Sequence, residues 1–269
     1  MRIGTWNIQG GRGARGGDWH ETPVSVASLE ALAEAIAAFD LDVIALQEVN
    51  RGQRRCGDTD QCAIIARVLG AREQDANFVP FHVGQADGLH GPPLRFFSAS
   101  PGYGLALISR LPVISWHALG FPLRLPRVKL SSSGGSFLKR LRVYDTTRSF
   151  LAATIRDGED TWAIGAFHAP ADEEIATQHQ ITATHAMRTL PGTRLLAGDF
   201  NVGPEVVCKT LPGTGLVTQA TFPNPKPAHC IDHLIADGPV DVHDSGVAEM
   251  PFSDHCLVWA DISPRRAGS

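Results

Sequence analysis

The chain has 269 residues, 43% of them hydrophobic and 19% charged, with a net charge of −4. That composition supplies enough apolar material for a core and excludes a disordered chain, while the mild acidity argues against a protein that grips duplex nucleic acid by bulk electrostatics. No apolar run approaches the roughly 20 residues of a membrane span and no leader pattern precedes the first strand-like run, so a soluble, cytoplasmic protein is expected.

Residues 2–8 read as a strand and lead into a Gly/Arg-rich loop over 9–17. Thr22-Pro23 offers an N-cap followed by proline, and Val26, Leu29, Leu32, Ala33, Ile36 and Phe39 then keep helical period. A short apolar run over 42–46 suits a central strand, and residues 60–69 form a second amphipathic helix closed by Gly70. Residues 83–102 are rich in Gly, Pro and Ser and read as a long surface loop. Two strands, 105–109 and 113–117, are joined at Arg110-Leu111-Pro112. Residues 121–148 hold seven basic side chains against the single acid Asp145, with a serine- and glycine-rich tip over 131–136. A hairpin turns at Asp157-Gly158, between strands 149–155 and 161–167. A third helix over 175–190 stops before Pro191, and four strands follow at 195–198, 231–235, 240–244 and 256–260. Cys56, Cys62, Cys208, Cys230 and Cys256 are odd in number and fit no zinc spacing, so free thiols are expected.

Four pieces carry the chemistry: Thr5-Trp6-Asn7, Leu46-Gln47-Glu48-Val49, Gly198-Asp199-Phe200-Asn201 and Ser253-Asp254-His255. Each sets a carboxylate, carboxamide or imidazole directly after a run that reads as a buried strand, where a rigid sheet fixes geometry and the loops leave it open. Singly they mean little, since Asp-x-Asn is most often a turn and a lone glutamate is usually an ordinary strand-end acid. Together with His168 and Ile231-Asp232-His233 they form an ordered set. Asn7, Glu48, Asp199, Asn201 and Asp254 offer only oxygen, which suits a hard cation such as Mg²⁺ rather than zinc. Motifs at both ends serve one site, so a single domain over 1–269 is expected. Strand–helix alternation alone permits either a doubly wound sheet or two packed sheets.

The order of these motifs resembles the endonuclease/exonuclease/phosphatase superfamily. The run Gly102-Tyr103-Gly104-Leu105-Ala106-Leu107-Ile108-Ser109-Arg110 is similar to the glycine-led strand of that family, and Arg148 stands where many members open the next strand with arginine. The usual Thr-His-Leu is replaced by Phe167-His168-Ala169, so the histidine is kept and the hydroxyl before it is gone. The resemblance implies a four-layer α/β sandwich, two packed mixed β-sheets flanked by helices. It also implies a Mg²⁺-dependent phosphoesterase, with Mn²⁺ as a possible substitute. Glu48 is then the primary metal ligand, with Asn7 and Asp254 close by. Asp199 aligns or deprotonates the attacking water. His255 is general base or phosphate-binding group, oriented by Asp232. Asn201 holds a non-bridging oxygen, His168 bonds the phosphate or protonates the leaving group, and Arg148 binds phosphate.

The substrate would be a phosphorylated small molecule, a lipid head group or nucleic acid, handled by a monomer. A nuclease on the same site is the main alternative, and a non-catalytic phosphate binder a lesser one. His233 is expected to point away from the site by strand alternation, and the other histidines are read as structural. Arg51, Arg54, Arg55 and the basic segment either cover the site with positive charge or are solvated.

Overall fold

The computed structural model describes residues 1–13, 24–85, 90–93, 96, 100–122, 127–130, 141–144, 147–211 and 213–265. β1 (Arg2–Asn7) is followed by helix α1 (Val26–Ala37), β2 (Val43–Arg51), helix α2 (Gln61–Val68), β3 (Ala76–Gly84), the short β4 (His90–Gly91) and β5 (Gly102–Ser109). At residues 110–112 the chain crosses to a second sheet and enters β6 (Val113–Gly120). A two-stranded ribbon, β7 (Arg127–Leu130) and β8 (Leu141–Tyr144), comes before β9 (Ser149–Asp157) and β10 (Asp160–His168). Helix α3 (Glu173–Arg188), β11 (Thr193–Asp199), helix α4 (Pro204–Thr210), β12 (Thr214–Gly215) and β13 (Asp232–Asp237) complete the second sheet and its cover. β14 (Val240–Ala248) and β15 (Leu257–Pro264) return to the first sheet.

Among the described residues one sheet runs β14-β15-β1-β2-β5-β3-β4 and the other β12-β13-β11-β10-β9-β6. Each mixes parallel and antiparallel pairs: β1 lies parallel to β2 and antiparallel to β15, and β10 parallel to β11 and antiparallel to β9. Three clusters of buried apolar side chains define the layers. Ile3, Val43, Ala45, Leu107, Leu151, Ala153, Trp162, Ile164 and Leu195 fill the space between the sheets. Trp6, Leu46 and Val49 pack outward on α1 and α2 through Leu32, Ile36 and Ile65. Ala163, Phe167 and Leu196 pack outward on α3 through Ala176, Ala183 and Met187. Helices, sheet, sheet, helices is the four-layer sandwich expected, and every central strand must be apolar on both faces because both are covered.

Alternation carries each strand's inner face to one edge of the sandwich. Ile3 is an inner residue of β1, so Asn7, four places on, has the same parity. The same step leads from Ile164 and Ala166 to His168, from Leu195 and Ala197 to Asp199, and back from Ala236 and Leu234 to Asp232. Register confirms the convergence: His168 pairs with Asp199, Asp199 with Asp232, and Asn7 with Gln47.

The structure differs from the expected elements in three places. α1 starts at Val26, capped by Ser25, whose hydroxyl accepts from Ser28 N at 3.1 Å; Thr22 and Pro23 lie outside the described residues, as does the 131–136 tip. The loop expected over 83–102 begins only after β3, and residues 76–84, with Pro80 inside them, form a strand. Proline normally demotes a run to non-strand because it cannot donate to the ladder; here it sits beside a register shift, and among the described residues only Val83 and Gly84 pair on the other side with β4. The seven-residue α4, opened by Pro204 at its first turn, also lay in a stretch with no clear helical period. All five cysteines are free. Burial pushes the thiols of Cys56 and Cys230 up to about 11 and Cys62 higher still, so they remain protonated. Among the described residues no helix is long and apolar enough to cross a membrane.

Candidate active site

Glu48 reaches the site through a fault in β2. Leu46 and Val49 both face the α1–α2 layer although three residues apart, so the strand absorbs one extra residue between them. Glu48 adopts the left-handed backbone (φ 59°) inside this bulge, which turns its side chain to the sandwich edge. Of the seven non-glycine residues with positive φ among the described residues, four flank this edge: Gln9 (48°), Glu48, Asn201 (53°) and Ser253 (61°). Strain of this kind persists only where surrounding contacts enforce it, and it is concentrated at these loops.

Those contacts are hydrogen bonds between the motifs. Ser253 donates its hydroxyl to the Asn7 carbonyl and accepts from His255 N at 3.1 Å, so the first and last motifs are tied directly. Trp6 Nε1 donates to the His255 carbonyl at 2.9 Å. The Asn224 carboxamide spans the carbonyls of Met250 and Ser253 at 2.7 and 3.0 Å and thereby shapes the loop before Asp254. Asn201 N donates to Asp199 Oδ1 at 2.9 Å, and Asn201 Nδ2 to the Ala169 carbonyl at 2.9 Å, which joins the ends of β10 and β11.

At the centre, Asn7 Nδ2 donates to Glu48 Oε1 at 3.2 Å and to Asp199 Oδ2 at 3.1 Å, while its oxygen accepts from Gln9 N. The carboxamide therefore links the two acids. His168 Nε2 and His255 Nε2 lie 3.5 and 3.8 Å from the same Asp199 oxygen. His255 Nδ1 lies 3.0 and 2.9 Å from the two Asp232 oxygens, and Thr221 donates its hydroxyl to Asp232 Oδ2 at 2.6 Å. Phe222 packs on the His255 ring, with centroids 4.8 Å apart. All of Asn7, His168, Asp199, Asp232 and His255 are buried, whereas Glu48, Asn201 and Asp254 are partly open.

Burial sets the protonation of this group. It pushes the Asp199 carboxyl up to about 7; the His255 charge and the Asn7 and Asn201 donors pull it down, and Asp232 raises it further. Burial alone would lower the His255 imidazole, but Asp232 and Asp199 outweigh it and carry it up to about 10. Near neutral pH the pair is an imidazolium held by Asp232 and a carboxyl poised to titrate. Asp199, Asp232 and His255 stand close enough to share a cation. A protonated His255 has no lone pair for one, however, and both Asp232 oxygens already accept hydrogen bonds. Glu48 and Asp254 are partly open and offer oxygen, the donor a hard cation prefers, and the buried Asn7 carboxamide stands beside Glu48.

Around Glu48 the structure gathers Tyr103 and Arg12, which the sequence did not single out. Tyr103 hydrogen-bonds Glu48, and Arg12 has Glu48, Asp254 and Tyr103 as charged or polar neighbours. Arg148 stacks over Phe81, its Cζ 5.2 Å from the ring centroid, and Phe81 meets His168 edge to face at 5.5 Å. Of the three arginines after Glu48, Arg55 lies over Tyr103, whereas Arg51 stacks on Phe78 and lines a groove of about 600 Å³ along α2 and Arg54 is exposed. Thr221 and Asn224 likewise gave no sequence signal, being single polar residues in an irregular loop. His233 turns to the outer layer and meets the Val202 carbonyl at 2.9 Å through Nε2, and burial lowers its pKa, so it stays neutral. Phe167 also faces outward, against Phe121 and Phe200, so the residue that replaces the usual threonine adds to core packing and not to the site.

Comparison with known proteins agrees with this geometry. A profile of the Endonuclease/Exonuclease/phosphatase family matches residues 4–255. No curated protein sequence matches the chain. Among solved structures, a functionally unknown conserved protein from Enterococcus faecalis V583 superposes with a TM-score of 0.67 at 16% identity, covering 98% of this chain and 100% of that one. The mannosyl-6-phosphatase of Bacteroides thetaiotaomicron VPI-5482 gives 0.58 at 14% identity, covering 98% and 99%. D. rerio TDP2 complexed with single-strand DNA product gives 0.58 at 14% identity, covering 98% of both chains. At these identities the likeness is one of fold.

Proposed function

The chain belongs to the endonuclease/exonuclease/phosphatase family, a family of phosphoester hydrolases, and from that premise we propose a divalent-metal-dependent phosphoesterase that works as a monomer, with Mg²⁺ the natural ion and Mn²⁺ a substitute. The observation that carries this reading is the convergence on one Asp199 oxygen of Asn7, His168 and His255, with Glu48 on the other side of Asn7. Glu48, Asp254 and Asn7 would hold the ion, which when bound neutralises charge on the phosphoryl oxygens.

The remaining roles follow from protonation and place. Asp199, titrating near 7, accepts the proton of the attacking water as that water's oxygen forms the new bond to phosphorus. His255 enters as the cation: its Nδ1–H is held by Asp232, and its Nε2–H donates to a phosphoryl oxygen as negative charge grows there. His168, which approaches the same Asp199 oxygen as His255, gives its proton to the departing oxygen as the P–O bond breaks. Asn201 and Arg148 bind non-bridging oxygens. Of the two roles open to His255 from sequence this division takes the donor, because Asp232 and Asp199 favour the charged imidazole.

A phosphorylated small molecule or lipid head group is the leading substrate class. A nuclease reading draws on one further observation. The ribbon β7–β8 leaves the second sheet at Gly120 and re-enters it at Ser149, the same edge as His168, and its sequence is basic. An activity panel tests both, with plasmid DNA, a bis-aryl phosphodiester and several phosphomonoesters incubated with Mg²⁺ or Mn²⁺ and with EDTA. EDTA-sensitive release of phosphate or alcohol from at least one ester is the expected result. No turnover of any with either ion would overturn the reading, and turnover of DNA alone would select the nuclease.

A further inference from the structure

Glu48 is held from both of the strands that flank its own. β2 lies between β1 and β5 in the first sheet. From β1, Asn7 Nδ2 donates to Glu48 Oε1 at 3.2 Å; from β5, Tyr103 hydrogen-bonds the same carboxylate. A phenol is protonated at neutral pH, so its hydroxyl donates and the carboxylate accepts. The Tyr103 ring is itself fixed. It stands on the inner face of β5 with Leu105 and Leu107, meets Phe81 edge to face at 5.7 Å, and lies under Arg55, whose Cζ is 4.9 Å from the ring centroid. Arg55 Nε and Nη2 donate to Asn50 Oδ1 at 3.1 and 2.7 Å, and Asn50 is the β2 residue paired with Tyr103 in register. A Cβ at Gly104 would collide with the Val79 carbonyl oxygen, so β5 is drawn tightly against β3 directly beyond Tyr103.

These contacts bear on the one acid of the site that strand alternation does not place. Glu48 stands on left-handed backbone inside a bulge, and its side chain is partly open. A long side chain so placed spreads over several rotamers unless it is tied, and ordering it when an ion binds costs free energy. A carboxylate has about four lone-pair positions, so two donors from opposite sides fix its plane and still leave positions for a cation. Hydrogen-bonding partners of a metal ligand orient it in this way. Resting on the reading that Glu48 holds the divalent ion, we propose that Tyr103 is a positioning residue of the metal site. Its hydroxyl sets the Glu48 carboxylate in the ion-binding orientation before the ion arrives.

Calorimetric titration of Mg²⁺ into the metal-free full chain tests this on wild type, Tyr103→Phe and Glu48→Gln. Tyr103→Phe keeps the ring against Phe81 and Arg55, so metal-free Tm should stay within about 3 °C of wild type. The Mg²⁺ Kd should nonetheless rise about tenfold to a hundredfold. Turnover at saturating Mg²⁺ should stay within about threefold of wild type, because the bound ion then holds the carboxylate itself. An unchanged Kd in Tyr103→Phe overturns the positioning role, and Glu48→Gln then shows whether the ion at Glu48 falls with it. A rate loss that saturating Mg²⁺ does not recover also overturns it, since the hydroxyl would be acting on substrate. No Mg²⁺ binding by wild type overturns the role and the ion together. Absent turnover of every ester, with Kd still weakened in Tyr103→Phe, sinks the phosphoesterase reading and keeps the role. Should Tyr103→Phe fold poorly, the wild type still decides. Tyr103 and Tyr144 are the two tyrosines of the chain, so isotope labelling of tyrosine rings, assigned with Tyr144→Phe, follows Tyr103 by NMR through the Mg²⁺ titration. Its resonance should move with the calorimetric midpoint, and a resonance that stays still at saturation overturns the proposal.

Discussion

Asp199 is buried to within 2% of full enclosure among Asn7, His168 and His255, and it holds its proton up to about pH 7 against an ordinary value of 3.8. Between those values the folded state keeps a proton that the unfolded chain has lost, so stability declines as pH rises from about 4 to about 7 and stays reduced above. Asp199→Asn removes that cost while keeping the shape. The variant should melt about 3–6 °C higher than wild type at pH 8, with the gain shrinking toward pH 4, and should lose turnover. Part of the gain is offset because His255 loses one of its two supporting acids. Thermal melts of both metal-free proteins across pH decide it; a variant that melts lower at pH 8 would show the charge to be well solvated. A second test concerns Asp232 and His255, which act through one hydrogen-bonded unit. Asp232→Asn and His255→Ala should each cost orders of magnitude in rate, and the double variant should be little worse than His255→Ala alone. Additive losses would assign Asp232 a separate role. Asn7, His168, Asp199 and Asp232 were legible as strand-end residues because alternation along the adjoining apolar run sets each on the inner face, whereas Glu48 gets there only through the bulge. Tyr103, Arg12, Thr221 and Asn224 were not, because their meaning lies in contacts between distant loops that no local pattern encodes.

At the scale of elements, the site depends on strands approaching closely at their ends. A Cβ at Gly198 would collide with the Phe167 carbonyl oxygen, because β11 crowds β10 one residue before Asp199. Gly198→Ala should therefore push the two strands apart, destabilise the fold by about 2–4 kcal/mol and lower activity beyond the loss of folded protein. Chemical denaturation and rates normalised to folded fraction check this. A loss under about 0.5 kcal/mol would mean that the strand end is slack. Strong alternation and helix caps made most elements readable, among them β10, β11 and α3. What escaped were places where one principle overrode another. Pro80 sits inside β3 because the neighbouring bulge and the nearly open side of that strand excuse its missing donor. The bulge at Glu48 could not be read from residues 42–46, since it appears only where β2 must keep Leu46 and Val49 on one face. α4 is too short to show a period.

At the scale of the molecule, neither half of the chain owns the site or its own sheet. Asn7 and Glu48 come from the first part, Asp199 and Asp232 from the second, and His255 precedes β15, which returns to pair with β1 in the first sheet. The amino terminus closes the same seam by donating to the Ile262 carbonyl at 2.9 Å. Removing the last strand would strip β15 from β1, and removing the first would take β1 itself from between β15 and β2, so the chain is expected to unfold as one cooperative domain over its whole length. An ion held by Glu48 and Asp254 would bind only when both ends are in place, and its binding free energy would add to the stability of that single unit. At a Mg²⁺ concentration about a hundredfold above Kd the added stability is about 2.7 kcal/mol, which for a chain of this size raises Tm by about 5 °C. Glu48→Gln keeps the size of the side chain and its place in the bulge but removes the anionic ligand, so the variant should show most of that rise lost. Calorimetric melts with EDTA and over a Mg²⁺ series, on wild type and Glu48→Gln, measure both claims at once. Two separate transitions would break the single-domain view, and an equal Mg²⁺ shift in the two proteins would move the ion away from Glu48 and toward the acids around His255.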